Sequence, residues 1–401
     1  MSRLKGTTLK MRPAEYIILS ACTMMLTALG IDIMLPALSE IRQHFKLPPE
    51  STAASNIIVF FFMGQVAQLV FGILSDRFGR LPILRIGFPL YIIGGIAATY
   101  APGLKLMCAA RFIAGVGSSA VFMTTIAGVR DRFVGDQMAR MMSLIFTIFL
   151  FTPIIAPFLG LAILSAGSWQ MVFLAPPVFA VLVFVWSLRL EESHPVEQRT
   201  PLNWKIIAQT IGKVIRNSTF MCYTTITTLL FSTLSSYVSS SEHMVGEIYG
   251  RPELFPWIFA AIGLAMALCT LLNSRLSVRY GARRTMRALL LIYTIVAAIL
   301  LTITIIEGNS PNMVVFFVAV GLLMAINLTI EPNSSALALE PMGQTAGIAA
   351  SVYGTIFFFV GSLLGAIISH LMEHHVLPLV ISFFIFGSAG LLLAGMEKNK
   401  K

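Results

Sequence analysis

The sequence predicts an all-α membrane protein, with twelve transmembrane helices in two pseudo-symmetric six-helix bundles and both termini cytoplasmic. Three observations predict it: the composition, the charge-free runs and the placement of the cations. Hydrophobic residues make up 57% of the 401 and charged residues 11%, whereas a soluble domain carries about a quarter charged. Lipid, not water, is the solvent for most of this surface. A helix needs about 20 apolar residues to cross the hydrocarbon core. Ten runs of 18 or more residues lack Asp, Glu, Lys and Arg, and one more of sixteen ends at Asp32.

The runs follow one another along the chain. They are Tyr16 to Ile31, Ser51 to Ser75, Ile86 to Leu104, Phe112 to Val129, Met141 to Leu188, Asn217 to Ser241, Leu254 to Ser274, Ala288 to Ile306, Gly308 to Ile330, Pro341 to Met372 and His374 to Met396. The Met141 to Leu188 run is 48 residues long and is broken at Gly167, Ser168 and Trp169, so it holds two spans and the total is twelve. The polar segment Glu191 to Arg216 is the longest connection. It predicts a bundle over residues 1–190, a cytoplasmic linker over 191–216 and a second bundle over 217–401.

Cytoplasmic loops collect Lys and Arg, and this sets the orientation. With the N-terminus inside, 23 of the 28 cations fall on inside segments, starting with Arg3, Lys5 and Lys10 and ending with Lys398, Lys400 and Lys401. Arg42, Lys46, Lys105 and Arg251 fall outside, and Arg111 lies within a span. The net charge of +10 is therefore a set of topology signals spread over short loops. It makes no single basic face for nucleic acid. The first span is too long for a cleaved leader and lacks a small-x-small site before Asp32, so it is expected to be retained. Cys22, Cys108, Cys222 and Cys269 all fall within spans and read as small buried hydrophobes. His370, His374 and His375 border an outer loop as a surface cluster, so no metal site and no cofactor is expected. No GxxxxGK[ST] loop occurs for ATP-driven pumping. Convergent catalytic groups that would make a membrane enzyme are missing.

The two halves echo one another. Ser75-Asp76-Arg77-Phe78-Gly79-Arg80 matches Ser277-Val278-Arg279-Tyr280-Gly281-Ala282 at an offset of 202 residues, half the chain. Internal repeats of this kind mark secondary transporters, in which two bundles rock about a site near the midplane.

Several segments carry a family resemblance. Gly72-Ile73-Leu74-Ser75-Asp76-Arg77-Phe78-Gly79-Arg80-Leu81-Pro82-Ile83-Leu84, between spans two and three, resembles the signature loop of the major facilitator superfamily, with Leu81 in place of the usual basic residue. Arg111-Phe112-Ile113-Ala114-Gly115-Val116-Gly117 resembles its arginine motif on span four. Ile31-Asp32-Ile33-Met34-Leu35-Pro36, and Asn333 to Glu340 followed by Ala346-Gly347, resemble the twelve-span drug:proton antiporters of the Bcr/CflA type. In span five, Ala156-Pro157-Phe158-Leu159-Gly160-Leu161 keeps Pro157 and Gly160 of the antiporter motif, but Ala156 and Leu161 replace its glycines. The resemblance covers nearly the whole chain. It implies the major facilitator fold, a bacterial inner membrane and a monomer that handles protons and a small-molecule substrate.

The residues carry physics of their own. A carboxylate in an apolar span costs a few kcal/mol or more to insert, and is by default a functional group. Asp32 lies in the outer part of span one and Arg111 in the outer part of span four, so the pair is expected at similar depth, coupled and facing a cavity. Desolvation favours a neutral acid and a guanidinium favours a carboxylate, and movement between such environments is what a proton carrier requires. At the inner rim, Gly72 allows close helix approach. Asp76 is expected to meet the positive N-terminus of span eleven near Gly343 to Thr345 and to pair with Arg130. With Arg77, Gly79 and Arg80 these residues would form a conformational latch. Substrate-cavity candidates are Met25, then Phe61, Gln65 and Gln68 on one face of span two, and Ser118 and Phe122 on span four. Thr228, Ser232 and Ser235 continue the list in the hydroxyl stripe of span seven, with Tyr353 and Phe357 on span eleven. Glu331 is expected at the inner edge of span ten. Together these predict proton-coupled export of a small amphipathic compound, the alternative being a transporter dedicated to one metabolite or siderophore.

Overall fold

A computed structural model describes residues 11–133, 135–199 and 203–397. The terminal cations Arg3, Lys5, Lys10, Lys398, Lys400 and Lys401 lie outside the described residues. Among the described residues the regular structure is entirely helical. Eleven helices are long and apolar enough to cross a membrane: α1 Pro13–His44, α2 Thr52–Phe78, α3 Arg80–Thr99, α4 Leu104–Arg132, α5 Arg140–Ala166, α6 Trp169–Ser187, α8 Pro252–Tyr280, α9 Ala282–Ile306, α10 Met313–Gly343, α11 Ala346–His370 and α12 Leu377–Met396. The twelfth is α7 Ser218–His243, with 26 residues, enough to span, but its dense Ser and Thr content makes it less apolar. A linker helix, Trp204–Arg216, precedes it. It presents Trp204, Ile206 and Ile215 outward on a segment the sequence marked only as polar.

The helices overrun the charge-free runs. α1 continues to His44 rather than ending near Ile31, and α3 starts at Arg80, six residues before Ile86, where its charge-free run begins. Helical hydrogen bonding does not stop at the edge of the hydrocarbon, so a charge-counting rule marks the lipid-embedded part and misses the ends. α1 is also broken inside. Its α-helical part ends at Asp32 and a 3₁₀ turn, Leu35–Ala37, follows. Pro36 explains the break, because its ring has no N–H and clashes with the carbonyl four residues back, that of Asp32.

The echo in the sequence is an echo in the backbone. α2 and α3 are joined by Gly79 alone, and α8 and α9 by Gly281 alone, with φ of +102° and +82°. Each glycine N–H bonds the carbonyl four residues back, Ser75 at 3.1 Å and Ser277 at 2.9 Å. A one-residue turn with positive φ requires glycine.

The chain forms two compact units, the described residues of Met1–Met34 with Phe60–Lys205, and Leu35–Val59 with Ile206–Lys401. In the first, α4 is the centre. A Cβ on its Gly117 would lie 2.7 Å from the Gly87 carbonyl oxygen of α3, and one on Gly115 would run into the Phe61 carbonyl of α2. The two glycines of the arginine motif thus let backbones touch on both sides of α4. In the second unit, α10 is tied to its neighbours by carboxamides. Asn327 donates to the Leu230 carbonyl of α7 at 2.7 Å, and Asn333 donates to Asn273 of α8 at 2.8 Å while accepting from Ser277 at 2.6 Å.

Arg42, expected as an outer-loop topology residue, is instead buried in the second unit. It donates to both oxygens of Glu242 at 2.8 and 3.0 Å and to Glu247 at 3.3 Å. This forked geometry fastens residues 35–59 onto the end of α7. Outward, large aliphatics such as Leu182, Ile306 and Val318 are 65 to 77% exposed, the surface expected of helices solvated by lipid tails.

Candidate functional site

Asp32 sits at the break in α1, 6% exposed. Among the described residues no cation pairs with it. Arg111, at the matching depth on α4 and 1% exposed, is therefore not its ion-pair partner, contrary to the expectation of a coupled pair. The guanidinium donates to the carbonyl of Gly30 and lies over the Phe61 ring, 4.4 Å from its centroid. The helix ending at Asp32 explains this choice. Its last carbonyls have no intrahelical donor and carry the negative end of the helix dipole, and Arg111 satisfies one of them. Tyr91 of α3 supports the same turn by donating to the Leu26 carbonyl at 2.8 Å.

The first-unit cavity candidates are largely occupied by helix joints. Gln65 donates to the Gly115 carbonyl at 3.2 Å and accepts from Gln68 at 3.2 Å. Ser118 and Thr27 share a hydrogen bond of 2.7 Å between α4 and α1. Phe61, fully buried, serves as the face under Arg111. Met25 is half-buried, and Phe122 is half-buried against Phe149 of α5, centroids 6.3 Å apart. On α5, Pro157 and Gly160 are buried. Pro157 leaves the carbonyl of Pro153 without its helical donor.

In the second unit the hydroxyl stripe of α7 divides. Thr228 and Ser232 bond back to carbonyls of their own helix, Thr224 at 2.7 Å and Leu229 at 2.6 Å, whereas the Ser235 and Ser236 hydroxyls are buried without a partner among the described residues. A Cβ on Gly365 would lie 2.8 Å from the Ser232 carbonyl oxygen, so part of the stripe is there to admit α11. Tyr353 and Phe357 of α11 stack at 5.9 Å with 10° between planes, as their spacing predicts. The Tyr353 hydroxyl donates to Glu331 at 3.3 Å.

The turn between α2 and α3 is a charged knot inside the first unit. Arg80 donates to Asp76 at 2.6 Å, Ser75 at 2.7 Å and Asp131 at 2.9 Å. Arg130, expected to pair with Asp76, is exposed and makes no ion pair among the described residues. Its neighbour Asp131 faces the turn in its place, because a step of one residue on a helix rotates a side chain by about 100°. Arg77 is exposed and Gly72 half-buried. Residues at the start of the linker complete the knot. The Glu192 carboxylate accepts from the backbone N–H of Arg80 at 2.9 Å and of Leu81 at 3.1 Å, an anion on the N-terminus of α3. Ser193 donates to Asp131 at 3.0 Å. Asp131 and Glu192 went unread in the sequence. Asp131 was signalled only by adjacency to Arg130, and Glu192, 112 positions from its partner Arg80, had no local sign.

Residues 20–366 match the Major Facilitator Superfamily. The chain is 28% identical over 364 residues to the bicyclomycin resistance protein homolog of Haemophilus influenzae, covering 89% of each. It is 26% identical over 347 residues to multidrug resistance protein MdtL of Escherichia coli O157:H7, covering 85% of each. The xylose transporter XylE of E. coli, solved in a partially occluded inward-open conformation, superposes with a TM-score of 0.72 at 14% identity over 96% of this chain and 97% of that one. The last likeness is one of fold.

Proposed function

The chain belongs to the Major Facilitator Superfamily, a multi-pass membrane transporter rather than an enzyme, and we propose that it is a proton-coupled antiporter exporting small amphipathic compounds. The observation that carries this reading is Asp32, a buried carboxylate without a cationic partner among the described residues, at a helix break inside a membrane span. The cost of ionising a carboxyl group so placed changes when water or a substrate replaces its apolar surroundings, which is what a proton carrier requires. The names of the relatives, bicyclomycin resistance and multidrug resistance, support export of drugs from the bacterial inner membrane.

In the proposed cycle a proton from outside loads Asp32 and displaces substrate. Alternating access of the two bundles then delivers the proton to the cytoplasm. Arg111 holds the end of the helical part of α1 and keeps Asp32 in place. One charge falling through 100 mV supplies about 2.3 kcal/mol, which supports a gradient of tens of fold. The Arg80 knot, with Gly72, Asp76, Arg77 and Gly79, is proposed as the inner latch, and the chain as a functional monomer. Proteoliposomes with an imposed pH gradient test the scheme. Uphill movement of a compound identified by growth protection should vanish in Asp32→Asn while downhill exchange persists. Undiminished uphill transport in that variant would remove Asp32 from the mechanism.

A further inference from the structure

The second unit holds an acid that the proton scheme does not use. Glu331 lies on α10 twelve residues before the last residue of the span, Gly343, or about 18 Å from that end at 1.5 Å per residue. It lies within the helix, eighteen residues after Met313 and before the 3₁₀ segment Glu340–Thr345. Its side chain is half-buried. A carboxylate has two oxygens and about four acceptor positions. The neighbour that bonds it is a neutral hydroxyl, that of Tyr353 at 3.3 Å. Among the described residues no Lys, Arg or His pairs with it. A tether between α10 and α11 needs no charge, since an amide would accept the same phenol hydrogen without the cost of desolvating an anion.

The surroundings supply what a counter-charge on an organic molecule needs. Tyr353 stacks on Phe357, and Phe357 meets Phe231 of α7 at 4.3 Å. Phe357 lies in a π-helical stretch, Ile356–Val360, an irregularity frequent at functional sites because it turns an extra side chain to one face. Aromatic faces attract cations, and an acid beside them supplies the full opposite charge. Pro332, following Glu331, prevents the regular bonding that would fix this turn of α10 and frees the Leu328 carbonyl as a further acceptor.

We propose that Glu331, with the stacked rings of Tyr353 and Phe357, is a subsite for the cationic end of an amphipathic substrate. This deepens the exporter reading and rests on it. Glu331 faces the positive group, the rings take the adjoining apolar surface, and Asp32 in the first unit remains the proton site. Neutral amphiphiles use the rings alone, so charge preference resides in one residue.

Calorimetric binding to the purified full chain separates the possibilities, with tetraphenylphosphonium as the cationic probe and triphenylphosphine oxide as its neutral counterpart. Glu331→Gln should weaken the cation about tenfold or more and leave the oxide within about twofold, the retained oxide affinity reporting an intact fold. Tyr353→Phe, which keeps the ring and loses the hydroxyl, should change cation affinity about threefold or less. Equal loss of both probes in Glu331→Gln, unchanged cation affinity in that variant, or no cation binding by the native chain would each overturn the subsite. If the subsite behaves as proposed but neither probe moves uphill in proteoliposomes, the exporter reading fails and the binding site stands.

Discussion

Arg111 shows how far a single residue can be read before its fold is known. Depth along the spans placed it beside the end of α1, and the structure agrees that both it and Asp32 are buried there. The chosen partner was not legible. It depends on the helix ending at Asp32, which leaves the Gly30 carbonyl unbonded, and no local rule foretells that a guanidinium prefers this oxygen to the adjacent carboxylate. The consequence is testable. An ammonium cannot lie flat on Phe61 and point a donor at Gly30 together, so Arg111→Lys should lower stability by about 1–3 kcal/mol. Thermal unfolding in detergent would show an earlier transition in the Lys variant, with Arg111→Gln lower still. Equal melting of the native chain and Arg111→Lys would mean that the geometry of the guanidinium is irrelevant.

The α2–α3 turn is the element most completely announced by the sequence, through its motif and its copy 202 residues later. Both copies are one-glycine turns with positive φ. The surroundings of the two differ. A Cβ on Gly281 meets nothing within 4 Å, whereas one on Gly79 runs into the Glu192 carboxylate. Gly281→Ala should therefore cost only backbone strain, about 1 kcal/mol, and Gly79→Ala distinctly more, compared by unfolding under the same conditions. Glu192→Ala removes two charge-assisted bonds to the first N–H groups of α3 and should cost about 1–2 kcal/mol. In the Glu192→Ala background the Gly79→Ala penalty should fall toward that of Gly281→Ala. A fixed difference between the glycine sites in both backgrounds would show that Glu192 is not its origin. The partnership was invisible in the sequence because a carboxylate that caps a distant helix looks like any acidic residue at the start of a polar linker.

At the scale of the whole molecule, span number, the half-chain repeat and the membrane setting were legible because lipid imposes long apolar helices on any such sequence. The buried Arg42, Glu242 and Glu247 cluster was not. Cation counting treats Arg42 as a loop residue, yet it is a forked ion pair with both side chains under 10% exposed. Removing Glu242 leaves the buried Arg42 with only the partly exposed Glu247 at 3.3 Å, so Glu242→Gln should destabilise by about 1.5–3 kcal/mol. Replacing both, as Arg42→Met with Glu242→Leu, should recover most of that loss. Recovery in the double variant, measured by thermal unfolding, distinguishes a pair that specifies this packing from one that supplies net stability. If the double variant is as unstable as the single one, the pair contributes more than mutual neutralisation.

The account turns on Asp32 exchanging its proton for substrate, and proton release on binding reads that exchange most directly. In weakly buffered detergent solution with a pH-sensitive dye, a transported compound added to the purified chain should release close to one proton per molecule bound. Release should decline as the pH is raised, because the acid is then already ionised before substrate arrives. Asp32→Asn should bind the compound and release none. An equal burst of protons from native chain and variant would contradict the account.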